Sequence, residues 1–244
     1  KWMINAPSLA NCGLFTMAEE MDGMIRGGVN FVHIDIMDGH YVPNIFFPLS
    51  IVQAVRKRYP NLTIDVHLMV TNPEDYVDRM REDGADYLSF HIDSTRFSRR
   101  LIDSIQQSGM KAGVVINPSQ PISLLEPLVR FVDYVVLMTV EPGFAGQPFM
   151  HDALERLDEL QKLKKETDAH FMISIDGGID REHSAECMKR GAEILVSGIY
   201  TVFGQPEGLE KACASYQKEM ETIQKEAGFI GLGAICLCEK ENIS

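Results

Sequence analysis

One unit recurs along this chain: a helix-like stretch ends in glycine, and a β-branched run begins within a few residues. Gly27-Gly28 precede Val29 to Asp35, Gly84 precedes Asp86 to His91, Gly109 precedes Lys111 to Ile116, and Gly191 precedes Glu193 to Ser197. Glycine just past a helix supplies the left-handed residue that ends it, and the runs that follow read as strands. Runs of this kind lie near 4–9, 30–36, 62–69, 86–91, 111–117, 133–140, 170–176 and 193–198. Helical stretches fit between them, near 15–27, 48–59, 73–83, 95–108, 121–130, 149–166, 180–190 and 207–226. Asn72-Pro73-Glu74-Asp75 reads as a helix start with Asn72 as its cap. Leu154, Leu157, Leu160 and Leu163 form a stripe at helical spacing that predicts a core-facing side. Strict strand–helix alternation argues for a parallel sheet. Eight repeats in one chain of 244 residues point to a single α/β domain, a (β/α)8 TIM barrel. No Pro-, Ser- or Gly-rich linker divides the chain, so residues 1–229 are expected to be the barrel and 230–244 a loosely attached tail.

Charge narrows the partners. The chain has 23 Lys and Arg against 35 Asp and Glu, a net charge of −12, with no basic cluster. Such a surface repels phosphate backbones, so neither nucleic acid nor an anionic membrane is an expected partner. Any phosphorylated ligand is then expected to rest on backbone N–H groups and helix N-termini. The five cysteines, Cys12, Cys187, Cys213, Cys236 and Cys238, are odd in number and mostly far apart, which predicts a reduced, cytoplasmic chain. Cys236 and Cys238 form a C-x-C in the tail that reads as incidental. No early segment has the apolar core of a signal peptide. The late apolar stretch from Phe229 to Cys238 is half the ~20 residues a membrane helix needs.

In a barrel the chemistry sits at the C-terminal ends of the strands. Period two places His33, Asp35 and Met37 on one face of the second run, and Asp65, His67 and Met69 on one face of the third. The seventh run ends in Asp176-Gly177-Gly178. Three strands thus deliver His or Asp to one end of the barrel. Imidazoles with carboxylates suit one divalent ion per chain: Zn2+, Fe2+, Mn2+ or Co2+. Buried charges left unpaired are costly, so His33, Asp35, His67 and Asp176 read together as a metal site. Spacing does not choose between Asp35 and Asp65. His91 ends the fourth run as a supporting residue or a substrate contact.

A second constellation is rich in glycine. Glu141-Pro142-Gly143-Phe144-Ala145-Gly146-Gln147, Asp176-Gly177-Gly178 and Ser197-Gly198-Ile199 follow three successive strands. Glycine lets the backbone approach an anion, and barrels hold phosphate at the loops after their last two strands. These loops carry no Lys or Arg, so the amides of Gly146, Gly178, Gly198 and Ile199 are the expected phosphate donors.

The run Phe31-Val32-His33-Ile34-Asp35-Ile36-Met37-Asp38-Gly39-His40-Tyr41-Val42-Pro43-Asn44 resembles the signature of the ribulose-phosphate 3-epimerase family. So do Asp65-Val66-His67-Leu68-Met69-Val70, Met138-Thr139-Val140-Glu141-Pro142-Gly143-Phe144-Ala145-Gly146-Gln147 and Asp176-Gly177-Gly178, in the family's order, with Pro7-Ser8-Leu9 ahead of them. The resemblance implies a metal-dependent C3 epimerisation of a ketose phosphate through an enediolate, with D-ribulose 5-phosphate as substrate, and a homo-oligomer, dimer or hexamer. By it, His33, Asp35, His67 and Asp176 are the metal ligands. Asp35 and Asp176 are the acid/base pair, Ser8 and His67 touch the substrate, and Met37, Met69 and Met138 wall the planar intermediate. Ile199-Tyr200 departs from the family, which commonly has a second small hydroxyl residue there. The loop Gly143 to Phe149 is closer to the D-allulose 6-phosphate 3-epimerase branch, which is the alternative substrate reading. A barrel lyase would want a lysine at a strand's C-terminal end, whereas Lys111 begins its strand. A non-catalytic sugar-phosphate sensor would have no use for two carboxylates.

Overall fold

The computed structural model describes residues 3–238, with side chains described as far as residue 226. Its strands are β1 (Ile4–Asn5), β2 (Phe31–Asp38), β3 (Ile45–Phe46), β4 (Thr63–Met69), β5 (Tyr87–His91), β6 (Lys111–Ile116), β7 (Tyr134–Met138), β8 (Met172–Asp176) and β9 (Ile194–Val196). Around them run helices α1 (Met17–Arg26), α2 (Ser50–Arg58), α3 (Val77–Asp83), α4 (Ser98–Gln107), α5 (Ala153–Glu166), α6 (Arg181–Lys189) and α7 (Leu209–Cys238). The sheet order is β1-β9-β8-β7-β6-β5-β4-β2-β3, parallel except for the β2–β3 pair. A parallel bridge from Ser8, just after β1, to His33 of β2, with His33 N–H donating to Pro7 O at 3.0 Å, closes the parallel strands on themselves. The sheet thereby closes into the expected (β/α)8 barrel. The antiparallel β3 is an addition that the run-counting did not anticipate.

Several boundaries differ from the sequence expectation, each for a physical reason. The stretch 121–130 forms only a 3-10 turn, Ile122–Leu125, because Pro127 lacks an N–H and its ring clashes with the preceding turn. The stretch 149–166 becomes helical only at Ala153, since Met150 N–H is drawn back to Thr139 O. Asn72 precedes a 3-10 turn, Pro73–Tyr76, and makes no side-chain cap bond. The last helix continues past 226 to Cys238, through the first part of the expected tail. The Cys236–Cys238 pair lies outside the described side chains. No described helix is long and apolar enough to cross a membrane.

The core has two parts. Outward-facing strand residues such as Ile34, Val66, Leu88, Val114, Leu137 and Ile175 are buried beneath the helices. Inside the barrel, Phe31, Tyr87 and Tyr134 pack edge to face, with centroids 5.1 and 5.4 Å apart. On the helix side, Leu157 and Leu160 of α5 are fully buried and Leu154 and Leu163 pack against the same core, as their spacing predicts. Leu157→Ala should therefore destabilise the protein by ~2–5 kcal/mol in urea unfolding. A loss below ~1 kcal/mol would show that the stripe is not core.

Candidate active site

Strand register assembles the site. Between β2 and β4, His33 lies opposite Asp65, Asp35 opposite His67, and Met37 opposite Met69. Between β7 and β8, Met138 lies opposite Asp176. All these side chains point into the barrel, stacked in layers toward the C-terminal ends of the strands. His33 and His67 are fully buried, while the side chains of Asp35 and Asp176 keep 9% and 13% of their surface open. The imidazoles thus form the floor and the two carboxylates reach the opening.

His33, Asp35, His67 and Asp176 offer ligand atoms that all lie within 4.8 Å of one another. His33 Nε2 is 3.2 Å from Asp35 Oδ1 and 3.4 Å from Asp176 Oδ2. His67 Nδ1 is 3.2 and 3.3 Å from the same two oxygens. A tetrahedral ion with ligands at ~2.0–2.1 Å spaces those ligands by about 3.3 Å, so two imidazoles and two carboxylates at these separations fit a divalent metal. Burial opposes charge on His33, but Asp35, Asp65 and Asp176 outweigh it and hold its imidazolium well above the ordinary value. His67 is raised against burial in the same way, by Asp176 and Asp35. Burial would raise Asp35 and Asp176, yet the two histidines draw both below the usual carboxylate value.

Behind the floor, each imidazole has a partner for its other nitrogen. His33 Nδ1 lies 2.7 Å from Asp65 Oδ2, and His67 Nε2 lies 2.8 Å from His91 Nε2. Asp65 is thus a partner of His33, one layer below the cluster, and Asp35 is the carboxylate in it. His91 is fully buried, and burial together with His67 pushes its pKa well below the ordinary value, so it is a neutral partner of His67. It does not line the cleft. The Asp65–His33 contact has the form that orients metal-binding histidines and raises their basicity. Ser8 Oγ donates to Asp35 Oδ2 at 2.7 Å.

Above the cluster opens a cleft of about 630 Å3 that includes its mouth. Ser8, Met37, Met69 and Met138 line it, as do the three glycine loops, with no Lys or Arg among its lining residues. Asn11, which sequence reasoning missed, also lines it, and its Nδ2 donates to Ser8 O at 3.2 Å. Tyr200 OH donates to Gly146 O at 2.8 Å and so ties the loops after β7 and β9 together. Two expected phosphate donors need revision. Gly198 N–H already donates to Thr201 Oγ1 at 2.9 Å. The N-terminus of α6 is capped by its own Asp180, whose Oδ1 accepts from His183 N–H at 2.7 Å. Phe144 stands more than half exposed at the rim.

The fold and this cluster together define a (β/α)8 barrel enzyme with a candidate metal centre where barrel enzymes carry their chemistry. Residues 4–203 match the sequence model of the ribulose-phosphate 3 epimerase family. A ribulose-phosphate 3-epimerase of Aquifex aeolicus is 40% identical over 193 residues, covering 79% of this chain and 86% of that protein. One of Bacillus subtilis is 38% identical over 203 residues, covering 83% and 93%. The cytoplasmic isoform of Oryza sativa is 37% identical over 226 residues, covering 91% and 96%. Among solved structures, KGPDC from Streptococcus mutans superimposes with a TM-score of 0.65 at 11% identity, covering 91% of this chain and 99% of that one. That likeness shows the fold. The chain belongs to the ribulose-phosphate 3-epimerase family, and with it to the isomerases.

Two predictions follow from this geometry. Gly178 has φ 63°, and an added Cβ would lie 2.4–2.7 Å from backbone atoms of residues 147–149, whereas one at Gly198 would meet only the Asn11 side chain, no closer than 3.4 Å. Gly178→Ala should cost ~1–3 kcal/mol in thermal unfolding and Gly198→Ala within ~0.5 kcal/mol of nothing; equal losses would contradict the loop packing. The second concerns protons. In the metal-free chain the raised imidazoles stabilise fully below about pH 6.5, and that stability is lost as pH rises through their higher folded values. The lowered carboxylates stabilise above about pH 4, and that is lost as pH falls through their lower folded values. At pH 7 His33, held well above the ordinary value, therefore carries a proton that a metal must displace, and Zn2+ binding should release about one. Calorimetry in buffers of different ionisation heat measures this; no release would contradict the charge state.

Proposed function

We propose that this chain interconverts the C3 epimers of a ketose phosphate, D-ribulose 5-phosphate and D-xylulose 5-phosphate, by 1,1-proton transfer. The observation that carries this reading is the placement of Asp35 and Asp176. They come from β2 and β8, on either side of the cluster, and both reach the cleft. A proton next to a ketone is too weakly acidic to leave unaided. When bound, a divalent ion supplies positive charge that stabilises the oxygens of an enediolate. His33, Asp35, His67 and Asp176 would hold it. Asp35 removes the C3 proton on one face, and Asp176 returns a proton on the other; the reverse reaction exchanges their roles. Whichever carboxylate is ionised acts first as base, and its partner must carry the proton that the opposite face receives; after one turnover the two have exchanged protonation states.

Ser8 holds Asp35 Oδ2 and leaves Oδ1 facing the cluster. Met37, Met69 and Met138 wall the planar intermediate with apolar, polarisable surface, which keeps water from protonating it at random. The phosphate sits at the loops that include Gly143, Phe144, Ala145, Gly146, Gly177 and Gly178. With Gly198 N–H engaged and α6 capped, the amides of Gly146, Gly178 and Ile199 are left as its main donors, and Ile199 adds apolar surface where a hydroxyl would be polar.

Asp35→Asn and Asp176→Asn should each lower turnover by about 10²-fold or more with metal content checked alongside. A variant with near-normal turnover and bound metal would remove that residue from the proton relay. A coupled assay with D-ribulose 5-phosphate and D-allulose 6-phosphate tests the substrate. The expected result is a kcat/KM at least about tenfold higher for the pentulose; the reverse order would assign the hexulose, and no turnover of either would favour a sensor.

A further inference from the structure

Tyr134 is a phenol in the middle of an apolar parallel strand, fully buried inside the barrel. Its hydroxyl donates to Asp65 Oδ1 at 2.7 Å, while Asp65 Oδ2 lies 2.7 Å from His33 Nδ1. Tyr134 stands on β7 and Asp65 on β4, with β6 and β5 between them. The ring can cross that gap only because the intervening inward positions are small. Gly113 is its register partner on β6, and Ser89 of β5 pairs with Gly113 in turn. A Cβ at Gly113 would fall 2.3 Å from Tyr134 Cζ and 2.6 Å from both Cε atoms. The backbone of Gly113 is not left-handed, so glycine is required there for room and not for conformation.

We propose that Tyr134 is a positioning residue for the metal centre: seated over Gly113, its phenol holds the Asp65 carboxylate against His33 Nδ1 and so fixes the ring whose Nε2 faces the cluster. The proposal rests on the reading that this cluster holds a divalent ion. A carboxylate with one oxygen bonded and one free can rotate, and a buried free oxygen is driven to find another partner. With the phenol in place both Asp65 oxygens are engaged, and rotation would break both contacts. His33 then has one ring orientation, with Nδ1–H donating to Asp65, so that Nε2 is the nitrogen left to meet an ion once its proton is displaced. Tyr134 does not line the cleft, so it acts on substrate only through the metal ligands.

The test uses Co2+ on the full-length chain. Chelator competition gives its affinity and the visible absorption of bound cobalt reports ligand geometry. Tyr134→Phe keeps the ring and removes only the hydroxyl. Its cobalt affinity should fall about tenfold or more, with an altered cobalt spectrum, a lowered kcat and a KM for the sugar phosphate within about twofold of wild type. Asp65→Asn should lose affinity comparably, and in that background Tyr134→Phe should cost less than about twofold more, because the phenol acts through Asp65. Should Tyr134→Phe fail to fold, Gly113→Ala, which displaces the phenol without deleting it, should show the same loss of cobalt affinity. Wild-type affinity and spectrum in Tyr134→Phe, or in Gly113→Ala, would overturn the proposal, as would additive losses in the double variant. A wild-type chain that takes up no cobalt would overturn the metal reading itself and this proposal with it.

Discussion

Ionisable groups buried at one end of the barrel are the constraint on which the rest depends. Asp35, Asp65, His33 and His67 are buried and Asp176 nearly so, where isolated charge is costly. They are tolerable only because each meets an opposite or complementary partner within about 3.4 Å. That compensation depends on the β2–β4 register, which sets Asp35 beside His67 and His33 beside Asp65. A slip of one residue would turn all of these side chains from the barrel interior toward the helices. Closure through the Ser8–His33 bridge serves the same end, since it also brings Ser8 Oγ to Asp35.

The outer layers follow from this floor. The side chains of His33 and His67 are fully buried, whereas Asp35 and Asp176 open on the cleft, so of the cluster only the carboxylates line it. The cleft above has an apolar wall of methionines on one side and glycine loops on the other. The cleft of this acidic chain holds no Lys or Arg, and Gly177 and Gly178 in its lining both sit at positive φ, a region that glycine permits. Tyr200 and Gly146 hold two of the loops together across the opening.

Much of this was legible in the sequence because alternation in strands is a strong signal. His33, Asp35 and Met37, and likewise His67 and Met69, share a face by period two, and the glycine punctuation located the strands. Asp35 and Asp65 could not be separated that way, because both are inward residues in identical Asp-x-His or His-x-Asp spacing; their depth depends on register, which is a tertiary property. Tyr134 carried a usable signal, an isolated phenol among Val135, Val136 and Leu137, but its partner lies three strands away. Two of the expected anion donors are already engaged, for a related reason. Thr201 and Asp180 lie close by in sequence and take the Gly198 amide and the α6 N-terminus for themselves.

Four side chains, from His33, Asp35, His67 and Asp176, are placed to meet at one divalent ion. Diffraction from crystals soaked in Co2+, recorded at the cobalt absorption edge, tests it most directly. A single anomalous peak per chain is expected, about 2.0–2.2 Å from His33 Nε2, Asp35 Oδ1, His67 Nδ1 and Asp176 Oδ2. A peak on Asp65 or at the protein surface, with the four atoms left in their mutual contacts, would contradict it.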